Sequence, residues 1–137
     1  MRHRIHLLTS AHVVAPEDIA GVCLPVVFDY YPADPLAVSL TFKSDGYGVT
    51  WAIARDLLRD GLVGTSGVGD VTAWAGTDDP HRYYLRVKSG PALTLFSFRT
   101  YEIETFLSQT YDSIPVGTEL RAADLDAELD AIFGEAA

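Results

Sequence analysis

The sequence predicts an α+β domain: an antiparallel, strand-rich body forming a partial barrel comes first, and C-terminal helices follow. Three observations carry this. The first 98 residues divide into runs rich in Val, Leu, Tyr, Phe, Trp and Thr, the residue types that suit a pleated, half-buried surface. Glycine, proline and aspartate signals separate those runs at hairpin spacing. After residue 98 the apolar period changes from two to the 3.6 of a helix. Strands first and helices last, rather than in alternation, is the pattern of a sheet covered on one side or end.

The predicted strands cover residues 2–14, 21–31, 36–44, 47–54, 68–75, 82–89 and 92–98. The first begins MRHRIHLLT, where period-2 alternation favours a strand over a leader segment. DYYPADP (29–35) carries two prolines and predicts a loop or bend. Asp45-Gly46 is a two-residue hairpin signal between alternating runs. KSGPAL (88–93) predicts a second hairpin, and GTDDPHR (76–82) a turn.

The stretch GVTWAIARDLLRDGL (48–62) changes character with no loop between its halves. Tyr47, Val49, Trp51 and Ile53 alternate with small residues as in a half-buried strand, and Arg55–Asp60 follow as a short helix. Asp56 suits the positive start of that helix and Arg59 its end, and Gly61 is expected to stop it in the left-handed conformation.

From Thr100, an expected N-cap, Ile103, Phe106, Leu107 and Thr110 mark one face of a longer helix. IPVGTE (114–119) ends it. Leu125, Leu129, Ile132 and Phe133 then predict a second amphipathic helix, with Asp124 as its cap and Gly134 past its end.

Length and composition agree with one domain over residues 1–137. A chain of this size buries roughly 68% of its unfolded surface, enough for a core without staples. The single cysteine, Cys23, excludes an internal disulfide and fits a reducing cytosol. No apolar stretch approaches the roughly 18 residues of a membrane-spanning helix. Charge is uneven: residues 1–99 hold ten acids against nine Lys and Arg, whereas residues 100–137 hold nine acids and Arg121 alone. A nearly neutral body with an acidic end repels nucleic acid and anionic membrane as a whole.

The residues that could carry chemistry do not assemble into a recognisable centre. The glycine run GLVGTSGVGD (61–70) lacks the lysine of a phosphate loop and precedes a strand, so a loop or hairpin is expected. His3 and His6 would point to opposite faces of a strand, and His6 and His12 would lie about 20 Å apart. Cys23, between Val22 and Leu24, is expected to be buried and inert. No nucleophile, acid–base pair, cofactor site or metal site is predicted. One strand mixes cations with aromatics: Arg82, Tyr84, Arg86 and Lys88 would share a face, the arrangement that holds single-stranded nucleic acid by stacking and phosphate contacts.

Four blocks, ADPLAVSLTF (33–42), VTWAIARDLLRDGL (49–62), GVGDVTAWAG (67–76) and PVGTELRAADLDAELDAIF (115–133), resemble in that order the SsgA-like family of actinobacterial sporulation and cell-division proteins. The resemblance covers about residues 20–134; the first strand and TDDPHRYYLRVKSG match poorly. It implies a Whirly-like fold and a non-enzymatic cytoplasmic protein that acts at septum sites. Its implied partners are FtsZ, the tubulin-like division GTPase, and other SsgA-like proteins. It also implies a homo-oligomer, with a trimer as one form. On this reading the block at 51–62 serves both the fold and a surface, with Arg55, Asp56, Arg59 and Asp60 orienting contacts. Asp126, Glu128 and Asp130, on the outer face of the last predicted helix, are a second candidate surface. No catalytic or binding residue of the family is carried over.

Overall fold

A computed structural model of the chain describes residues 3–119. Seven strands form one sheet: β1 (Ile5–Ala15), β2 (Cys23–Tyr30), β3 (Ala37–Ser44), β4 (Tyr47–Ala54), β5 (Val71–Ala75), β6 (Arg82–Ser89) and β7 (Ala92–Arg99). Helix α1 (Arg55–Asp60) follows β4, and α2 (Thr100–Ser113) follows β7. The strand order is β4-β3-β2-β1-β7-β6-β5, and every neighbouring pair is antiparallel.

Turn chemistry sets much of the register. Asp45 (φ 45°) and Gly46 (φ 82°) both adopt the left-handed conformation that a two-residue hairpin turn requires. The pairing then runs unbroken from Ser44↔Tyr47 to Ala37↔Ala54. Gly90, at φ 58°, supplies the same freedom between β6 and β7, where Ser89 pairs with Ala92.

That register places one row of each strand on the inner face. Val26, Phe28 and Tyr30, then Val38, Leu40 and Phe42, then Tyr83, Leu85 and Val87, and finally Phe96 and Phe98 are all buried there. The sheet curls into a half-barrel. Phe42 of β3 lies 4.6 Å, centroid to centroid, from Phe96 of β7, although β2 and β1 separate those strands in the sheet. Helix α2 packs on β1, β7 and β6 through Ile103, Phe106, Leu107 and Thr110. Phe28 meets Phe98 and Phe106 edge-on, each at 5.5 Å. A fully buried phenylalanine of this kind contributes about 1.5–3 kcal/mol from burial alone.

The abrupt strand-to-helix joint follows from this topology. β4 and β5 are consecutive in the chain but occupy opposite edges of the sheet. Helix α1 crosses between them, contacting both, and the Gly61 carbonyl accepts a hydrogen bond from the Ala75 amide at 2.8 Å. Both joints share a device. The first helical amide is still bonded to the neighbouring chain, Arg55 N–H to the Leu36 carbonyl (2.9 Å) and Thr100 N–H to the His81 carbonyl (2.9 Å). A helix that begins while its backbone is still held by the sheet needs no loop.

Several expectations are corrected. Gly61 is right-handed (φ −62°), so it is not a left-handed stop. A Cβ there would lie 2.7 Å from the Tyr83 hydroxyl and 3.0 Å from the Ala73 Cβ, so the position requires space rather than conformational freedom. Thr100 is the first helical residue; Arg99 caps α2 without a side-chain bond, because β7 pairing persists to Arg82↔Arg99. Cys23 is exposed, because its pairing with His12 puts it on the outer face while Leu24 turns inward. Tyr47 and Val49 are 79% and 57% exposed, since they sit on an edge strand beyond the reach of the core. β5 starts at Val71 rather than 68, because Gly67 (φ 103°) and Gly69 (φ 94°) hold the preceding residues in a turn. The predicted second amphipathic helix, with Asp124, Asp126, Glu128 and Asp130, lies outside the described residues.

Candidate interaction site

Helix α1 sorts the four charged residues of its block into two environments. Arg55 faces inward and retains 1% of its exposure. Its Nη1 donates to the carbonyls of Thr110 (3.1 Å) and Ile114 (2.8 Å), and its Nη2 to Glu119 Oε1 (2.8 Å). The guanidinium carbon lies 3.9 Å from the ring centroid of Tyr111 and 5.0 Å from that of Tyr30. A buried cation at the end of α2 also meets the negative end of that helix. Arg55 is therefore an interior residue and not part of an exposed contact surface. The signal that could have located it is the alternation itself: residues 51 and 53 point inward, and 55 continues the row.

Asp56, Arg59 and Asp60 lie outside, with side chains 52%, 36% and 55% exposed. They interact with one another and with Tyr111. Arg59 Nη1 is 3.5 Å from Asp56 Oδ1, Arg59 Nη2 is 3.1 Å from Asp60 Oδ1, and the Tyr111 hydroxyl donates to Asp56 at 3.0 Å. Burial, then the bond to Asp56, pushes the Tyr111 phenol above its ordinary range. The exposed side of α1 thus carries a pre-positioned run of charges whose mutual pairing is worth little to stability, as is usual for surface ion pairs.

Glu119 is buried against Arg55. A hydrogen bond from its own backbone N–H, against the opposing effect of burial and together with Arg55 and the Gly117 N–H, holds its carboxyl below the ordinary range. Nothing local in the sequence points to Glu119, Tyr30 and Tyr111, since their partner Arg55 lies far away in the chain.

On the outer face of β6, Arg82, Tyr84, Arg86 and Lys88 do share one side, as alternation requires. Trp74 stacks on Tyr84 with centroids 5.8 Å apart. Arg86 donates to the Thr72 hydroxyl at 3.4 Å. None of Arg82, Arg86 and Lys88 has an ion-pair partner among the described residues. His6 contacts Asp29 at 2.9 Å, and His81 accompanies Asp79 in the turn before β6. Among the described residues no helix is long and apolar enough to cross a membrane.

The fold has counterparts in known proteins. A family model described as Streptomyces sporulation and cell division protein, SsgA, matches residues 24–119. A sporulation-specific cell division protein, SsgB, of Saccharopolyspora erythraea is 36% identical over 122 residues, covering 88% of this chain and 86% of that protein. The SsgB of Streptomyces coelicolor is 37% identical over 114 residues, covering 82% and 83%. Among solved structures, an SsgA-like sporulation-specific cell division protein from Thermobifida fusca superposes with a TM-score of 0.84 at 30% identity, covering 94% of this chain and 95% of that one. A structure of SsgB from Streptomyces coelicolor gives a TM-score of 0.80 at 29% identity, with 89% and 97% covered. The family model over most of the chain and these relatives place the chain in the SsgA family of sporulation and cell-division proteins.

Proposed function

We propose that this protein is a non-enzymatic, sporulation-specific cell-division factor, cytoplasmic and acting at septum sites, that recruits FtsZ or promotes its assembly through protein contacts. The relationship to sporulation-specific cell division proteins over most of the chain supports the role. The observation that carries the contact is the exposed side of α1, where Asp56, Arg59 and Asp60 are held in fixed relation by Tyr111 and by one another. Charges ordered in advance lose little entropy on binding and set the orientation of a partner. Asp126, Glu128 and Asp130 are a second proposed contact, and self-association, a trimer among its forms, would present several copies to a polymer.

The test is co-sedimentation of the purified protein with FtsZ, with and without GTP, at two salt concentrations. The proposal expects the protein to pellet with polymers and to raise the amount of FtsZ pelleted. If it neither pellets nor alters FtsZ, direct recruitment is refuted.

A second reading is supported by the Trp74–Tyr84 stack beside three cations without ion-pair partners among the described residues. On it, the outer face of β6 binds single-stranded nucleic acid. Binding would weaken steeply with salt if those cations contact phosphates. Absence of binding at 50 mM salt discards it.

A further inference from the structure

The two edges of the sheet are finished differently. β5 lies at one edge, and its outward backbone groups are already bonded by the chain that leads into it: Ala73 N–H to the Ser66 carbonyl (2.8 Å), Ser66 N–H to the Ala73 carbonyl (2.9 Å) and Ala75 N–H to the Gly61 carbonyl (2.8 Å). β4 lies at the other edge, with β3 on one side only. The two-residue turn pairs Ser44 with Tyr47, and Arg55 N–H still bonds the Leu36 carbonyl, so residues 47, 49, 51, 53 and 55 turn their backbone groups to β3. Those of Gly48, Thr50 and Ala52 point away from the sheet, and among the described residues no backbone group bonds them.

We propose that β4 is a self-docking edge: two copies pair their β4 strands antiparallel about a dyad at Thr50 and join their sheets into one. The strand is its own complement. Over Tyr47–Ala54 it carries no charge, no proline and no bulge, the devices by which edge strands usually keep other chains away. The outward residues Gly48, Thr50 and Ala52 have side chains small enough for a second backbone to approach at the ~4.8 Å spacing of a sheet. A dyad at Thr50 brings Gly48 opposite Ala52, and Thr50 opposite Thr50, of the second copy, so each of these outward N–H and C=O groups meets its complement. On the inner face the same register sets Val49 opposite Trp51, and Tyr47 opposite Ile53, of the second copy. Tyr47 and Val49, exposed in one chain, are thereby covered, and an aromatic beside a β-branched residue is a favourable cross-strand pair. The contact gives the self-association proposed above its surface and rests on that reading; the recruitment of FtsZ is separate.

Sedimentation velocity over a dilution series tests it, with wild type, Ala52→Pro, Thr50→Lys and Thr50→Val. A single strand pair is a small interface, so wild type is expected to pass from monomer to dimer as concentration rises. Proline at position 52 removes an N–H that the sheet of one chain does not use, and it should weaken dimerisation at least tenfold. Lysine at position 50 sets two like charges face to face across the dyad and should do the same. Thr50→Val loses only the hydroxyl bond to Thr41 (2.9 Å) and should dimerise as wild type does. The fold of each variant is checked by circular dichroism; if Ala52→Pro does not fold, Thr50→Lys decides. Association of folded Ala52→Pro or Thr50→Lys as strong as that of wild type, in an assembly of any size, would overturn the proposal and leave self-association standing. A wild type that stays monomeric throughout overturns both and leaves the edge to an extended segment of another protein. FtsZ plays no part in this assay, so neither result bears on recruitment.

Discussion

Substituting Gly61 by alanine tests the packing account by the sign of its effect. Gly61 has ordinary right-handed dihedrals. If conformation were all that mattered, alanine would stabilise the protein by about 0.4–1 kcal/mol, by restricting the unfolded chain. The surroundings predict the opposite. The new methyl would lie 2.7 Å from the Tyr83 hydroxyl, 3.0 Å from the Ala73 Cβ and 3.2 Å from the Ala73 carbonyl carbon. Ala73 and Tyr83 are buried and cross-linked by the β5–β6 ladder, so neither yields easily. Overpacking of this kind costs about 1–3 kcal/mol. Displacing the Tyr83 hydroxyl also weakens its 2.8 Å bond to the Leu58 carbonyl, worth about 1 kcal/mol. The net expectation is a loss of about 1–3 kcal/mol, read by urea unfolding, or several degrees in Tm. In a Tyr83→Phe background, which removes the nearest atom, the cost of Gly61→Ala should fall, giving a coupling between the two sites. A Gly61→Ala variant more stable than wild type, or one with the same cost in both backgrounds, would mean that Tyr83 and Ala73 do not crowd this position.

Three further outcomes are expected. Arg55→Met leaves Glu119 buried without its partner and frees two carbonyls, so chemical denaturation should show a loss of about 3–5 kcal/mol, whereas Arg59→Ala changes stability by less than about 1 kcal/mol. Glu119 has a lowered carboxyl pKa in the folded state, so its contribution is fully present above the unfolded value of about 4.3 and is lost as pH falls through the folded value. The gap in unfolding free energy between wild type and Glu119→Gln should therefore hold steady from pH 7 to about 5 and close below about pH 4; a gap that is flat down to pH 3 contradicts it. Cys23, being exposed, should react fully with a thiol reagent in the native protein with no change in circular dichroism, and a thiol that reacts only in denaturant would contradict its placement on the outer face.

What could be read from the sequence is what local chemistry decides. Asp45-Gly46 specified a hairpin because only certain residues tolerate positive φ at both positions, and the turn in turn set the register of sixteen paired residues. The buried face of α2 was legible because Ile103, Phe106, Leu107 and Thr110 repeat with the helical period. Gly61 was misread because a glycine needed for space looks the same in sequence as one needed for conformation; the difference lies in Tyr83 and Ala73, on strands that pack there only in the folded state. Arg55 was misplaced for a related reason. Its charge signals a surface, while the interior that accepts it is assembled from Thr110, Ile114 and Glu119, more than fifty residues away. Tyr47 and Val49 show the converse: the alternation was real, but it says which residues share a face and not whether an edge strand's face is covered. The grouping of Arg82, Tyr84, Arg86 and Lys88 on one side was legible from period two alone, and their stack with Trp74 was not, because it depends on β5 pairing beside β6.

On the proposed function, the exposed side of α1 contacts the division machinery while Arg55 serves the fold. This division of roles is tested by repeating the FtsZ co-sedimentation with Arg59→Ala/Asp60→Ala, a variant that alters the surface and leaves the buried Arg55 bonds to Thr110, Ile114 and Glu119 intact. The expected result is a melting temperature within about a degree or two of wild type and a several-fold loss of co-pelleting. Wild-type co-pelleting by this variant, with its fold unchanged, would contradict the assignment of α1 as the contact.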